Sequence, residues 1–270
     1  MSRITDHFWE NARSGKKAFI PFITAGDPDL DTSLSIIVKL ADLGADVIEV
    51  GVPFSDPMAD GPTIQLSSQR SLERGTTLPD VLELIAAARR STEVPIVLFT
   101  YFNPVLRFGL TPFRDAASRA GADGVLLTDV IEHEADEISR LLAEADIDLI
   151  SLVAPTTSQA RLRSICEHAK GFIYAVSLAG VTGARDESST TAEALVRRVK
   201  QFTKLPVAVG FGISTAAQIQ EVWQYADAAV VGSAIVSEIA KAKDPEGAVE
   251  RVNTFVLGLL PQFAKAKVEN

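Results

Sequence analysis

Two acids in unusual company give the first indication of chemistry. In "VIEVGVPFSDPMADGPTIQ", residues 47–65, Glu49 interrupts a run of strand-forming apolar residues, and Asp60 follows in a stretch crowded with Pro, Asp and Gly. A glutamate within a buried strand is poorly solvated. Burial raises its pKa from the ~4.3 of a free side chain toward the range in which a carboxyl exchanges protons near neutrality. By the two-residue period of a strand, Val47, Glu49 and Gly51 share one face and Ile48 and Val50 the other, so Glu49 is expected to point inward near the strand exit. A structural ion pair is the competing reading, but the strand segments contain no Lys or Arg to supply it. A loop Asp is more often only a turn residue. Asp60 becomes a candidate because its loop leaves directly from the Glu49 strand and is longer than a typical connection.

A second constellation is built from glycine. "VGFGIST" and "VVGSAIV" each place Gly at a strand exit, where backbone N–H groups approach an anion closely and a following helix presents its positive end. "AGVTGARDESS" adds Gly180, Thr182 and Gly183 in a third loop of this kind. Several such amides hold a phosphate without Arg or Lys. Phe22, Leu127, Val153, Tyr174 and Phe211 stand at or near strand ends and together fit a flat apolar group beside that phosphate. His7, His133 and His168 fall away from the exits, and no His/Cys/Asp spacing matches a metal site. No Ser occupies a Gly-x-Ser-x-Gly elbow.

The elements that position these residues follow from periodicity. Eight segments, "AFIPFITAG", "DVIEVG", "PIVLFTY", "DGVLLTD", "IDLISLVAP", "GFIYAVS", "PVAVGFG" and "AAVVGS", read as buried strands. Stretches of helical period separate them, including "LSIIVKLADLG", "PDVLELIAAARR" and "EADEISRLLAEA". Strand starts lie mostly about 25 to 35 residues apart, enough for one crossover helix in each unit. The gap after the second strand is longer and holds Asp60. Eight units predict an α/β fold, a (β/α)8 TIM barrel forming one domain over residues 1–270, with "ITDHFWENARS" as an extra N-terminal helix. An open doubly wound sheet is the alternative. In a barrel, chemistry gathers at the C-terminal strand ends, where both constellations stand.

Composition narrows the function classes. A net charge of -9 without a Lys/Arg cluster argues against a nucleic-acid partner, which is bound through basic patches. No apolar run approaches the ~20 residues that cross a bilayer, and the polar start has no signal-like core, so a cytoplasmic protein is expected. Cys166, the one cysteine, is expected to be a buried structural thiol.

On these motifs the sequence resembles the α subunit of tryptophan synthase. The similarity runs from "FIPFITAGDP" through "IEVGVPFSDPMADGPTIQ", "YFNPV", "GVLLTD", "SLAGVTG" and "VGFGIS" to "VVGSAIV", nearly the whole chain. The resemblance implies a (β/α)8 barrel that cleaves indole-3-glycerol phosphate to indole and glyceraldehyde 3-phosphate. It needs no cofactor of its own and hands indole to a pyridoxal-phosphate-dependent β subunit, in an α2β2 heterotetramer. Position by position, it assigns Glu49 and Asp60 as the catalytic acids and Tyr174 beside the reacting glycerol group. Phe22, Leu127 and Phe211 fall to the indole pocket, and Gly183, Gly212, Gly232 and Ser233 to the phosphate. Departures are Val130-Ile131 where the family often has a proline, Thr128 for a frequent alanine, and Leu178 for a polar or basic residue. A stand-alone lyase and a catalytically weak allosteric partner of a β subunit are the other functional readings.

Overall fold

The computed structural model describes residues 2–130, 132–176, 185–210 and 212–260. Eight parallel strands close into a barrel in chain order: β1 Ala18–Thr24, β2 Ile48–Gly51, β3 Ile96–Thr100, β4 Gly124–Leu127, β5 Asp148–Val153, β6 Ile173–Val176, β7 Val207–Gly210 and β8 Ala228–Val231. Around them, among the described residues, run α1 Arg3–Ser14, α2 Leu30–Asp42, α3 Pro62–Glu73, α4 Leu78–Ala88, α5 Phe102–Phe108 and α6 Leu110–Ala120. They are followed by α7 Glu132–Ala143, α8 Gln159–His168, α9 Arg185–Val199, α10 Ala216–Tyr225, α11 Ser233–Ala240 and α12 Pro245–Leu259. β1 pairs with β8, which closes the ring and leaves no sheet edge.

Each strand is buried on both faces, so the strands read as apolar runs and not as alternating ones. Outward side chains such as Ile48, Val50, Leu98 and Val209 pack under the helices. Inward ones, among them Ile20, Val47, Val97, Leu126, Ile150 and Val230, fill the barrel's interior. The N-terminal end is stoppered by α1, which sends Ile4 and Phe8 into that interior, with the Phe8 ring 5.6 Å from that of Phe172. Asp46, Asp123 and Asp148 at this base all have partners. Asp46 accepts from Asn11 Nδ2 and the Phe19 N–H, each at 2.7 Å, and Asp123 takes Arg89 at 2.8 Å, the Ile96 N–H at 2.7 Å and Arg3. The base is therefore a stability end with its polar groups satisfied.

Four helices lie outside the periodic segments read from the sequence: α3, α5, α11 and α12. In α3 the reason is chemical. Its buried positions are Ser67, Ser68 and Ser71, not a stripe of Leu or Val. Ser67 Oγ lies 2.6 Å from Thr24 Oγ1, and Ser71 Oγ donates to the Ala25 carbonyl at 2.6 Å. A helix docked through hydroxyls leaves no hydrophobic period to detect. The long gap after β2 thus holds a ten-residue loop, Val52–Gly61, then α3 and α4. The eight-residue α11 is too short to show a period and sits at the mouth, leaving α12 to cover the barrel.

Candidate active site

Glu49 is the most unusual group in the barrel. It follows the register Phe22↔Glu49 and Glu49↔Val97, points inward at the mouth and is 1% exposed. Neither carboxyl oxygen has a hydrogen-bond partner. Among the described residues only Glu49 and the Thr128 hydroxyl hold buried side-chain polar atoms in that condition. With no partner to stabilise an anion, burial alone pushes the Glu49 pKa up to about 8. At neutral pH it is a protonated acid facing a cavity.

Asp60 comes to the same cavity from the loop. Gly61 ends the loop as the N-cap of α3, with Pro62 in the first turn, so Asp60 is held where chain and helix meet. Its carboxylate accepts from the Tyr101 phenol at 3.1 Å, and that oxygen accepts from the Ala59 N–H at 2.9 Å. Gln65 Nε2 donates to the Asp60 carbonyl at 2.9 Å. Burial raises the Asp60 pKa to about 6, against the pull of the Tyr101 hydrogen bond. The two acids therefore differ at pH 7: Glu49 is protonated, Asp60 ionised. Environments that drive two carboxyls apart in this way separate an acid from a base.

The cavity measures about 760 Å³, within the range of small-molecule sites. Phe22 and Phe99 meet edge to face at 5.3 Å on one wall, with Leu127, Ile64 and Val153 continuing the apolar lining. Tyr174 projects from β6, and burial above all keeps its phenol protonated. Two strand glycines clear space for these rings. A Cβ on Gly51 would come within 2.5 Å of the Phe22 ring, and one on Gly210 within 2.1 Å of the Tyr174 oxygen. On the far side Gly212, in the left-handed region at φ 68°, joins Gly232, Ser233 and Ala234. Gly232 caps α11 without a side-chain hydrogen bond, so the first-turn amides of α11 face the cavity unclaimed by a cap.

Of the residues singled out from the sequence, Phe22, Glu49, Asp60, Leu127, Tyr174, Gly212, Gly232 and Ser233 line this one cavity. Gly183 and Phe211, with Gly180, Thr182, Leu178 and Ile131, lie outside the described residues. His7 bonds Asp46 at the barrel base, and His168 bonds the Ser164 carbonyl at the end of α8. The His133 side chain lies outside what is described. Among the described residues no group of His, Cys, Asp and Glu gathers as a metal site, and no helix is long and apolar enough to cross a membrane. Cys166 is buried on α8. Sequence reasoning did not select Tyr101, Phe99 or Ile64. Tyr101 carried a usable signal, a polar aromatic at the exit of β3 in "FTYFNPV".

A closed eight-stranded barrel whose C-terminal mouth holds a protonated and an ionised carboxyl across one apolar cavity is a (β/α)8-barrel enzyme built for proton transfer. The sequence model of the tryptophan synthase alpha chain matches residues 8–264. The alpha chain of Citrifermentans bemidjiense is 48% identical over 259 residues, covering 96% of this chain and 97% of that one. For Caldanaerobacter subterraneus subsp. tengcongensis the identity is 44%, with 96% and 98% covered. The crystal structure of tryptophan synthase subunit alpha from Legionella pneumophila superposes with a TM-score of 0.89 at 36% identity, over 98% of this chain and 99% of that one. This chain belongs to the tryptophan synthase alpha chain family.

Proposed function

We propose that the cavity at the barrel mouth is where this chain carries out the family's lyase reaction, the cleavage of indole-3-glycerol phosphate to indole and glyceraldehyde 3-phosphate. Direct rupture of the bond between indole C3 and the glycerol chain would leave an unstabilised carbanion. Glu49, protonated at neutral pH, donates its proton to C3 and converts the ring to an indolenine whose nitrogen carries positive charge. Asp60, ionised under the same conditions, stabilises that charge and accepts the ring N–H proton. The Glu49 carboxylate then takes the proton from the hydroxyl next to the breaking bond. The C–C bond breaks, its electrons return to the ring, and the hydroxyl carbon becomes the aldehyde. The proton held by Asp60 returns to the nitrogen, and both acids end as they began.

Orientation comes from the two ends of the substrate. Phe22, Phe99 and Leu127, with Phe211, sandwich the indole, while amides at Gly212, Gly232 and Ser233, with Gly183, hold the phosphate. The Tyr174 phenol bonds the glycerol hydroxyls. The observation that carries this reading is the unpartnered, fully buried carboxyl of Glu49 facing Asp60 across an apolar cavity. The chain acts as one cytoplasmic barrel domain and delivers indole to a pyridoxal-phosphate-dependent β subunit in an α2β2 assembly.

Purified wild-type chain and Glu49→Gln are compared for indole release from indole-3-glycerol phosphate, with and without a β subunit. Loss of a general acid–base group lowers kcat by about 10²- to 10⁴-fold, with substrate binding retained. Wild-type turnover by Glu49→Gln would refute the assignment. Fast release that the β subunit leaves unchanged would mark a stand-alone lyase instead.

A further inference from the structure

Besides Glu49, the other buried polar side-chain atom without a partner among the described residues is Oγ1 of Thr128. It lies at the exit of β4 and lines the same cavity. The Thr128 backbone is fixed, its N–H bonded to the Thr100 carbonyl at 3.1 Å, so the hydroxyl has only its own side-chain rotation with which to find a partner. The register pairs Thr100 of β3 with Leu127 of β4, so Tyr101 and Thr128 leave adjacent strands side by side, and the hydroxyl eases ionisation of the neighbouring phenol. A phenol oxygen donates once and accepts twice. Tyr101 spends its donor on Asp60 and one acceptor site on the Ala59 N–H, which leaves one site open.

We propose that Thr128 is a positioning residue for the second acid: its hydroxyl donates to the open site on the Tyr101 oxygen and completes a chain from Thr128 through Tyr101 to Asp60. The inference rests on the reading of Asp60 as the group at the indole nitrogen. A phenol that accepts two hydrogen bonds is a stronger donor, because bonds in series polarise one another. The relay thus favours the ionised form of Asp60 and fixes the carboxylate through both its own oxygen and the preceding amide. The other ionisable groups facing Asp60 are Glu49 from β2 and Tyr174 from β6. Asp129 after β4 and Arg161 from α8 line the same cavity, and Asp56 lies in the Asp60 loop.

The test compares Thr128→Val, which keeps the shape and removes the hydroxyl, with Thr128→Ser, which keeps the hydroxyl, measuring kcat and KM for indole release across pH. Thr128→Val lowers kcat about two- to tenfold, the worth of one neutral hydrogen bond, with KM nearly unchanged. Its acidic limb moves to higher pH, because an Asp60 deprived of the relay is protonated more readily. Thr128→Ser restores the wild-type profile. In a Tyr101→Phe background Thr128→Val has no further effect, since the relay is already cut. The proposal is overturned if Thr128→Val raises KM alone, if the pH profile does not move, or if Thr128→Ser behaves like Thr128→Val. Absence of cleavage by the wild-type chain would instead overturn the parent reading. Circular dichroism confirms that each variant folds.

Discussion

The isolation of Glu49 has a consequence for stability that can be measured without substrate. In the unfolded chain its carboxyl titrates near 4.5, and in the folded barrel at about 8. Between those values the native state holds a proton that the unfolded state has released. Stability therefore falls as pH rises, fully present below 4.5 and lost progressively up to about 8. That window spans between three and four pH units, each worth about 1.4 kcal/mol, so the full loss approaches about 5 kcal/mol. Relaxation and water entry at a cavity wall reduce the real figure, and about 2 to 4 kcal/mol is the expected range. Glu49→Gln removes the titration and keeps the shape. Its amide is also unpaired, but that cost does not vary with pH. Urea unfolding of both proteins from pH 5 to pH 8.5 should give curves that diverge, the variant gaining on the wild type at each step. Every other titrating group is shared and cancels in the difference. A difference constant with pH would mean that Glu49 ionises normally in the fold, and the acid role assigned to it would fail with that result.

Two further predictions concern the mouth and the base. Gly210→Ala puts a methyl where the Tyr174 oxygen stands, at 2.1 Å, so the ring must move. Overpacking of this kind costs about 1 to 3 kcal/mol, and indole release should fall as well; unchanged melting and turnover would show that Tyr174 is not held by this contact. Phe8→Ala opens a void beneath Phe172 at the stoppered end and should cost about 3 to 5 kcal/mol by thermal or urea unfolding. Its kcat at a temperature where it is folded should stay near wild type, since the stopper lies at the opposite end from the acids; a large fall in kcat would refute that separation.

The eight strands were legible because a barrel strand is buried on both faces, and segments such as "PIVLF" and "AAVV" carry that burial as unbroken apolar runs. Glu49 was legible for the same reason, as a charge where the run should have continued. Helix α3 was not, because it docks on β1 through Ser67 and Ser71, residues that sequence patterns assign to exposed faces. Nor was the short α11, whose place at the cavity follows from the turn at Gly232 and not from any hydrophobic period.

The sequence by itself determined the eight strands, the inward direction of Glu49 and the glycine-rich exits, since strand period and burial are local properties of the chain; closure into a barrel came from the pairing of β1 with β8. The tertiary structure decided what Asp60 is. Alone it reads as a turn residue, and it stands as the second carboxyl of the cavity because the Tyr101 phenol, 41 residues further on, holds both its carboxylate and the amide before it. The structure likewise decided that Glu49 has no partner and that Thr128 leaves β4 beside Tyr101 at the exit of β3. Whether a buried polar group is satisfied depends on every strand around it, so no single segment carries that information.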